Sequence, residues 1–401
     1  MSRVATRQSS LNPSQRLVRR LGVVALACAS VVLASCGGGD RKSYFTPDRV
    51  ISFGDENSAF ATFSSASLED GSGNPATLKG LTYAIQSVIA IQETCNNIVS
   101  PSLCSTVATN PFDSGVAVTD ATRYMFNGTA SSVTAIARDA GNGTQRTTTI
   151  LYGCDTPRSW VQIVARAYGK GFSSDCSLDT RGGAVSYAVA GDKSDQVIAQ
   201  INAHRGELNS KTVVTIMAGQ NDIVEQFQSA NTTDAAAAEL RARADRMAAA
   251  VKSVIDTGAK VVLALTPDIS QAPIAASDRT RMEALVKAYN DRLYITGLGN
   301  VSGRSLAGFN PESLTKPGTR STAYDYTTTL CNASAVLRPD GTTPATDDEK
   351  LLYCSNQYFN TSGTVSSFSI STAMWADTKR AAPLLHNLIG VTAYNRAREQ
   401  F

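Results

Sequence analysis

The chain has 401 residues, 42% of them hydrophobic and 18% charged, with a formal net charge of +3. That composition excludes a disordered chain and a multispan membrane protein, and the length allows one large core or two modest domains. Setting aside the five arginines among the first 35 residues leaves 32 positive and 34 negative side chains, a near-neutral body that argues against nucleic-acid binding.

Taken in chain order, the first element is a targeting segment. Arg16, Arg19 and Arg20 precede an apolar run over 21–33, shorter than the about 20 residues of a membrane span. Residues 1–35 therefore read as a signal peptide. The run ends in "LASC" (33–36), followed by three glycines. This resembles the lipobox of bacterial lipoproteins, which implies cleavage before Cys36, lipid on Cys36, and a membrane as partner through that lipid. Gly37, where inner-membrane lipoproteins often carry aspartate, implies the outer membrane. Residues 36–46 then form a lipidated tether and 47–401 the folded domain.

Besides Cys28 and Cys36, six cysteines remain. An even number in an exported chain predicts disulfides, and proximity along the sequence suggests Cys95–Cys104, Cys154–Cys176 and Cys331–Cys354. No pair has CxxC spacing and the chain holds two histidines, His204 and His386. No metal site and no cofactor are expected.

"RVISFG" (49–54) is a first strand. Residues 60–152 are rich in Ser, Thr, Gly, Asn and Asp, and alternate in three places, at 122–128, 132–139 and 146–153. They predict a β-rich insertion or lid. From 155 the period changes. A helix capped by Asp155 or Thr156 is followed by a strand over 184–191, a helix over 193–208 and a buried strand over 211–219. A long helix over 233–259, a strand over 260–266 and a helix over 277–295 come next. Residues 304–376 read as irregular, and a helix over about 382–399 closes the chain. The alternation predicts an α/β layered sandwich with a mostly parallel sheet. In such sheets functional groups gather at the carboxyl ends of strands. "FGDE" (53–56), "VAGD" (189–192), "AGQND" (218–222) and "MWADTKRAAPLLH" (374–386) are therefore the segments of interest.

Together these segments resemble the SGNH, or GDSL, hydrolases: serine esterases and lipases with a three-layer, flavodoxin-like α/β/α fold. The family carries four blocks in order: a strand ending in GDS with the nucleophilic serine, an oxyanion-hole glycine, GxND with an oxyanion-hole asparagine, and DxxH with the triad aspartate and histidine. The resemblance implies that Gly191 and Asn221 are the oxyanion donors and Asp377 the aspartate. Two positions depart from the family. Glu56 stands where the serine belongs, and Arg380 where the histidine belongs.

Ester hydrolysis on this scaffold needs a hydroxyl, a base and the donors. Arginine stays protonated and is no base. The expectation is a degenerate site in which Arg380 bridges Glu56 and Asp377, set against two solvated residues left by drift. The implied role is non-catalytic binding of a carbohydrate, lipid or protein in the envelope. The alternative is an active esterase whose catalysis has moved, with Ser58 and His386 as the residues to consider. Trp160 and Trp375 read as packing residues and His204 as exposed. "ELRARADRM" (239–247) reads as a solvated face, and Asp222 as a turn-fixing neighbour of Asn221.

Overall fold

The computed structural model describes residues 44–70, 75–85, 88–97, 122–126, 132–138, 144–152, 159–176, 179–317, 324–336, 345–346, 349–354, 358–360 and 370–401. The leader over 1–35, Cys36, Cys104 and Cys154 lie outside them. Met1–Tyr44 and Phe45–Phe401 are separate compact units, and the fold is that of the second. Among the described residues no helix is long and apolar enough to cross a membrane.

The strands in chain order are β1 Arg49–Gly54, β2 Phe60–Asp70, β3 Pro75–Thr82, β4 Val88–Asn97, β5 Thr122–Phe126, β6 Ser132–Arg138, β7 Thr144–Tyr152, β8 Ala184–Ser186, β9 Thr212–Met217, β10 Lys260–Ala264, β11 Leu306–Phe309, β12 Asp325–Thr329 and β13 Ala373–Trp375. The main helices are α1 Trp160–Ala167, α2 Ser194–His204, α3 Gln220–Gln228, α4 Thr233–Ile255, α5 Arg279–Asp291 and α6 Pro383–Gln400.

Five strands form the central sheet in the order β11-β10-β9-β1-β8, every pair parallel. Parallel strands covered on both faces read as continuous apolar runs. Accordingly β9 is buried throughout and β1 and β10 are buried beyond their first residue. The register sets Ile51 against Val214 and Gly54 against Met217. Two hydroxyls within this apolar layer, Ser52 Oγ and Thr215 Oγ1, satisfy each other at 2.7 Å. Helices flank the sheet. α1 packs on α6, while α4 packs on α2 and α5. This is the expected α/β/α sandwich.

The strands β2 to β7 build a second sheet of six strands, β3-β2-β5-β6-β7-β4, antiparallel except where β2 meets β5. A smaller core joins the end of this sheet to the C-terminal segments, with Leu81 and Ile85 packed on Leu330, Leu351, Ala373 and Ala382. The disulfide Cys331–Cys354 lies in this core, with its Cα atoms 6.2 Å apart. Cys176 is also disulfide-bonded.

Several boundaries differ from the sequence expectation. α1 begins at Trp160 and is capped by Ser159, whose backbone N–H donates to Gln162 Oε1 at 3.0 Å, rather than by Asp155 or Thr156. α5 ends at Asp291 and widens into a π turn over Arg292–Gly297. The stretch 304–376 is not wholly irregular: it contains β11, the edge of the main sheet, and the parallel pair β12 and β13. β11 is four residues long and includes Gly308, too short and too weak in β-propensity to stand out in the sequence.

Gly219 sets the start of α3. Its φ is +109°, and a Cβ there would come within 2.3 Å of the fully buried Tyr289 ring. Gly219→Ala should therefore lower stability by about 2 kcal/mol or more. Urea unfolding should show the loss as a lower midpoint with little change in slope.

Candidate functional site

The turn after β1 is built from its own polar groups. Asp55 C=O accepts the Ser58 N–H at 2.9 Å, and Asp55 Oδ1 accepts the Asn57 N–H at 3.0 Å and Asn57 Nδ2 at 2.9 Å. Asn57 Nδ2 also donates to Gln220 Oε1 at 3.3 Å, tying the turn to the start of α3. Gly54 is clamped on both sides by the Gln200 amide, which accepts from its N–H and donates to its C=O, each at 3.0 Å. Held this way, the turn presents Glu56 at the carboxyl end of the sheet.

Glu56 is 2% exposed, and each oxygen of its carboxylate is met. Oε2 accepts from Gly191 N–H at 3.0 Å and from Asn221 Nδ2 at 2.7 Å. Oε1 lies 3.4 Å from Arg380 Nε and 3.6 Å from Lys379 Nζ. Arg380 Nη1 is 3.1 Å from Asp377 Oδ2, so the guanidinium sits between the two carboxylates. Asp377 Oδ1 in turn accepts the backbone N–H groups of Lys379 and Arg380 at 2.9 and 2.7 Å, and Ala376 N–H closes the turn on Arg380 C=O at 2.8 Å. Arg380 also stacks over the Tyr83 ring, 5.3 Å from its centroid. Gly191, at φ +83°, adopts a left-handed conformation that turns its N–H toward Glu56.

Lys379 is a site residue that the sequence reading missed. Its Nζ donates to Asn221 Oδ1 at 3.0 Å while facing Glu56. Neighbouring cations in "DTKR" give no signal of which will point inward; the Asp377 turn turns both the same way.

Two adjacent carboxyl groups are driven in opposite directions. Burial pushes Glu56 up, but Arg380, then Lys379 and Asn221, outweigh it and hold the group below its ordinary value. At Asp55 the pull of Lys379 is too weak to offset burial. Burial, then the Glu56 charge, pushes it up to about 8 against the hydrogen bonds from Asn57. Asp55 is thus the neutral partner and Glu56 the anion at pH 7.

Ser58 and His386 are both bonded to Trp160. The indole Nε1–H donates to Ser58 Oγ at 3.1 Å, and the Trp160 backbone N–H donates to His386 Nδ1 at 3.3 Å. All three are fully buried. Burial pushes His386 down to about 3, so it is a neutral acceptor.

Three further readings change. His204 is not simply exposed: its ring lies flat on Tyr187, centroids 3.4 Å apart, and Nδ1 meets Glu207 Oε1 at 2.8 Å. Asp222 does more than fix a turn, since it accepts Ser194 N–H and Oγ at 2.8 and 2.9 Å and Arg243 Nη1 at 3.0 Å. Arg243 accordingly leaves the solvated face expected for 239–247 and points at α3. Trp160 and Trp375 are packing residues with no exposure. Among the described residues, Asp268, Glu283 and Glu312 are close enough to share a cation. Lys316 Nζ already contacts Glu312 and lies 3.2 Å from Glu283.

Chemically, two neutral donors on one oxygen and two cations beside the other make a carboxylate cradle. The family described as GDSL-like lipase/acylhydrolase matches residues 132–348, more than half of the chain. That stretch includes Gly191 and Asn221 and excludes Glu56 and Asp377–Arg380. The protein YXIM of Bacillus subtilis, known from its crystal structure, is 13% identical, with 39% of this chain and 48% of that chain covered and a TM-score of 0.21. The match thus spans about half of that chain's length. No curated protein matches the sequence.

The Asp55 proton has a measurable consequence. Between its ordinary value near 3.8 and about 8 the folded state binds more protons than the unfolded state. Stability therefore falls as pH rises through that window. Asp55→Asn should flatten this slope and raise stability near pH 8 by about 2 kcal/mol or more. Denaturant titrations at a series of pH values check this, and an unchanged slope would show that Asp55 is already ionised at low pH.

Proposed function

We infer that this chain, which belongs to the GDSL-like lipase/acylhydrolase family, carries the ester-hydrolase framework in a non-catalytic form and serves as a binding protein of the cell envelope. The observation that carries the reading is the position of Glu56. Its carboxylate accepts from both Gly191 N–H and Asn221 Nδ2, the donors that would otherwise stabilise a substrate oxyanion. A substrate carbonyl would compete with a buried, ion-paired anion for those donors.

The remaining chemistry points the same way. Acyl transfer from an ester to the Glu56 carboxylate would give an anhydride, a higher-energy acyl group than the ester, and would have to expel the more basic alkoxide, so the step runs uphill. Arg380 cannot accept a proton at usable pH. Relocated catalysis through Ser58 and His386 finds no support in their geometry, because each is engaged by Trp160 in the interior. Delivery to the envelope rests on the N-terminal pattern: a leader over 1–35, lipid on Cys36 and a tether to 46. The ligand classes that fit such a protein are carbohydrate, lipid or another envelope protein, held at the former active-site cleft.

Two outcomes are expected. Wild-type protein should neither hydrolyse short-chain aryl esters above background nor be labelled by a fluorophosphonate. The paired change Glu56→Ser with Arg380→His should gain hydrolysis by about 100-fold over that background, because the donors are already in place. Turnover abolished by Ser58→Ala, or labelling at any serine of the wild type, would overturn the reading. Separately, Cys36→Ser should stop palmitate incorporation and release the protein from the membrane fraction of expressing cells.

A further inference from the structure

We propose that a cavity at the carboxyl end of α3, apart from the Glu56 cradle, is a binding site for a neutral sugar of one or two pyranose rings. None of the residues that line it belongs to the cradle, so such a site is independent of ester chemistry.

The cavity measures about 450 Å³, within the range of roughly 300–1,000 Å³ typical of small-molecule sites. Two segments form it. One is the end of α3, where Phe227 lies six residues beyond Asn221, about 9 Å along the helix axis. The other is the loop from Ile274 to the first turn of α5. Both walls are fixed. Arg281 Nη2 donates to the C=O groups of Gln226, Ser229 and Asn231 at 3.1, 3.3 and 2.9 Å, and Ser229 Oγ donates to Gln226 C=O at 2.8 Å. Ile274 N–H donates to Thr378 C=O at 2.9 Å, which places the cavity beside the turn that carries Lys379 and Arg380. Walls held this way need little reordering when a ligand binds.

The lining defines the ligand class. Phe227 and Ile274 are half-buried and packed on the main core, and they give the cavity an apolar part that suits the C–H face of a sugar ring. The rest of the lining is polar. Gln228 and Ser277 are exposed, and each both donates and accepts, as sugar hydroxyls do. Asp278 Oδ1 caps α5 by accepting Arg281 N–H at 2.9 Å, so its other oxygen is open to a hydroxyl. Asp278 and Arg281, the two charged lining residues, cancel. An anion would meet Asp278, a cation would meet Arg281, and a fatty acyl chain would cover both charges without bonding either. A neutral polyol with one apolar face matches the whole set.

Isothermal titration calorimetry of the full-length wild type provides the test. The probes are maltose, cellobiose and N,N′-diacetylchitobiose, with octanoate and glucose 6-phosphate as the apolar-chain and anionic controls. At least one disaccharide should bind with a Kd of about 1 mM or tighter, and both controls at least about tenfold more weakly. Phe227→Leu keeps an apolar side chain but removes the ring, and should weaken the sugar about tenfold. Gln228→Ala changes an exposed side chain, and Asp278→Asn keeps the helix cap. Each should weaken the sugar by about threefold or more, with an unfolding midpoint near that of the wild type. No binding of any of the three disaccharides, a control that binds as tightly as the sugar, or sugar binding unchanged in all three variants overturns the proposal. If Phe227→Leu does not fold, the two surface variants decide. Weaker binding by either of them, folded as the wild type is, supports the proposal, and unchanged binding by both overturns it.

Discussion

A carboxylate removed from water costs several kcal/mol unless charge and hydrogen bonds meet it, and the Glu56 side chain is fully withdrawn from solvent at the end of the central sheet. Much of the local architecture is the answer to that cost. The left-handed turn at Gly191 and the inward amide of Asn221 each deliver one partner to it, and the tight turn over 376–380 delivers two, Lys379 and Arg380. Asp377 contributes indirectly. By accepting the backbone N–H groups of Lys379 and Arg380 it shapes the turn, and through Arg380 Nη1 it holds the guanidinium in place. Breaking such a group by removing one member leaves the others buried and uncompensated, which is why its members act as a unit.

Behind this cradle lies a second polar layer that fixes the helices. Asp222 draws together Ser194 at the start of α2 and Arg243 of α4. Ser194 Oγ meets Tyr289 Oη on α5 at 2.6 Å, and the same Tyr289 ring packs where a Gly219 Cβ would be. Four helices are thus referenced to the turn that carries Asn221. On the other side of the turn, Trp160 binds Ser58 with its indole and His386 with its backbone, coupling β1 to α1 and α6. The site is rigid because its supports are shared with the core rather than hung from loops.

The legible part of this protein was its periodicity. Val213, Val214 and Ile216 in one run, or Ala236, Leu240, Ala244 and Met247 on one helix face, announce burial by spacing alone. The block order around Gly54, Gly191, Asn221 and Asp377 was equally open to reading. Short or weakly patterned elements were not. β11 holds four residues, one of them glycine, and β8 spans only Ala184–Ser186, although the Tyr187 and Val189 N–H groups still donate to Ser52 C=O and Gly54 C=O of β1. Arg243 and His204 look solvated in sequence, yet one reaches carboxylates on a neighbouring helix and the other stacks on a tyrosine from another segment. Such partners are distant along the chain, and no local pattern encodes them.

From the sequence alone came the chemistry of the residues: a glutamate in place of a hydroxyl, an arginine in place of an imidazole, and the α/β frame that would bring them to the same strand ends. Those conclusions need only residue identity and order. Whether the two charges meet, what else meets them, and which carboxyl keeps its proton were decided by the tertiary structure. Burial, distance and hydrogen-bond direction set an ion's energy, and these depend on groups from four separate segments converging within a few ångströms. Hence Lys379 could be found only in three dimensions, as could the fact that Glu56 occupies the donors of Gly191 and Asn221.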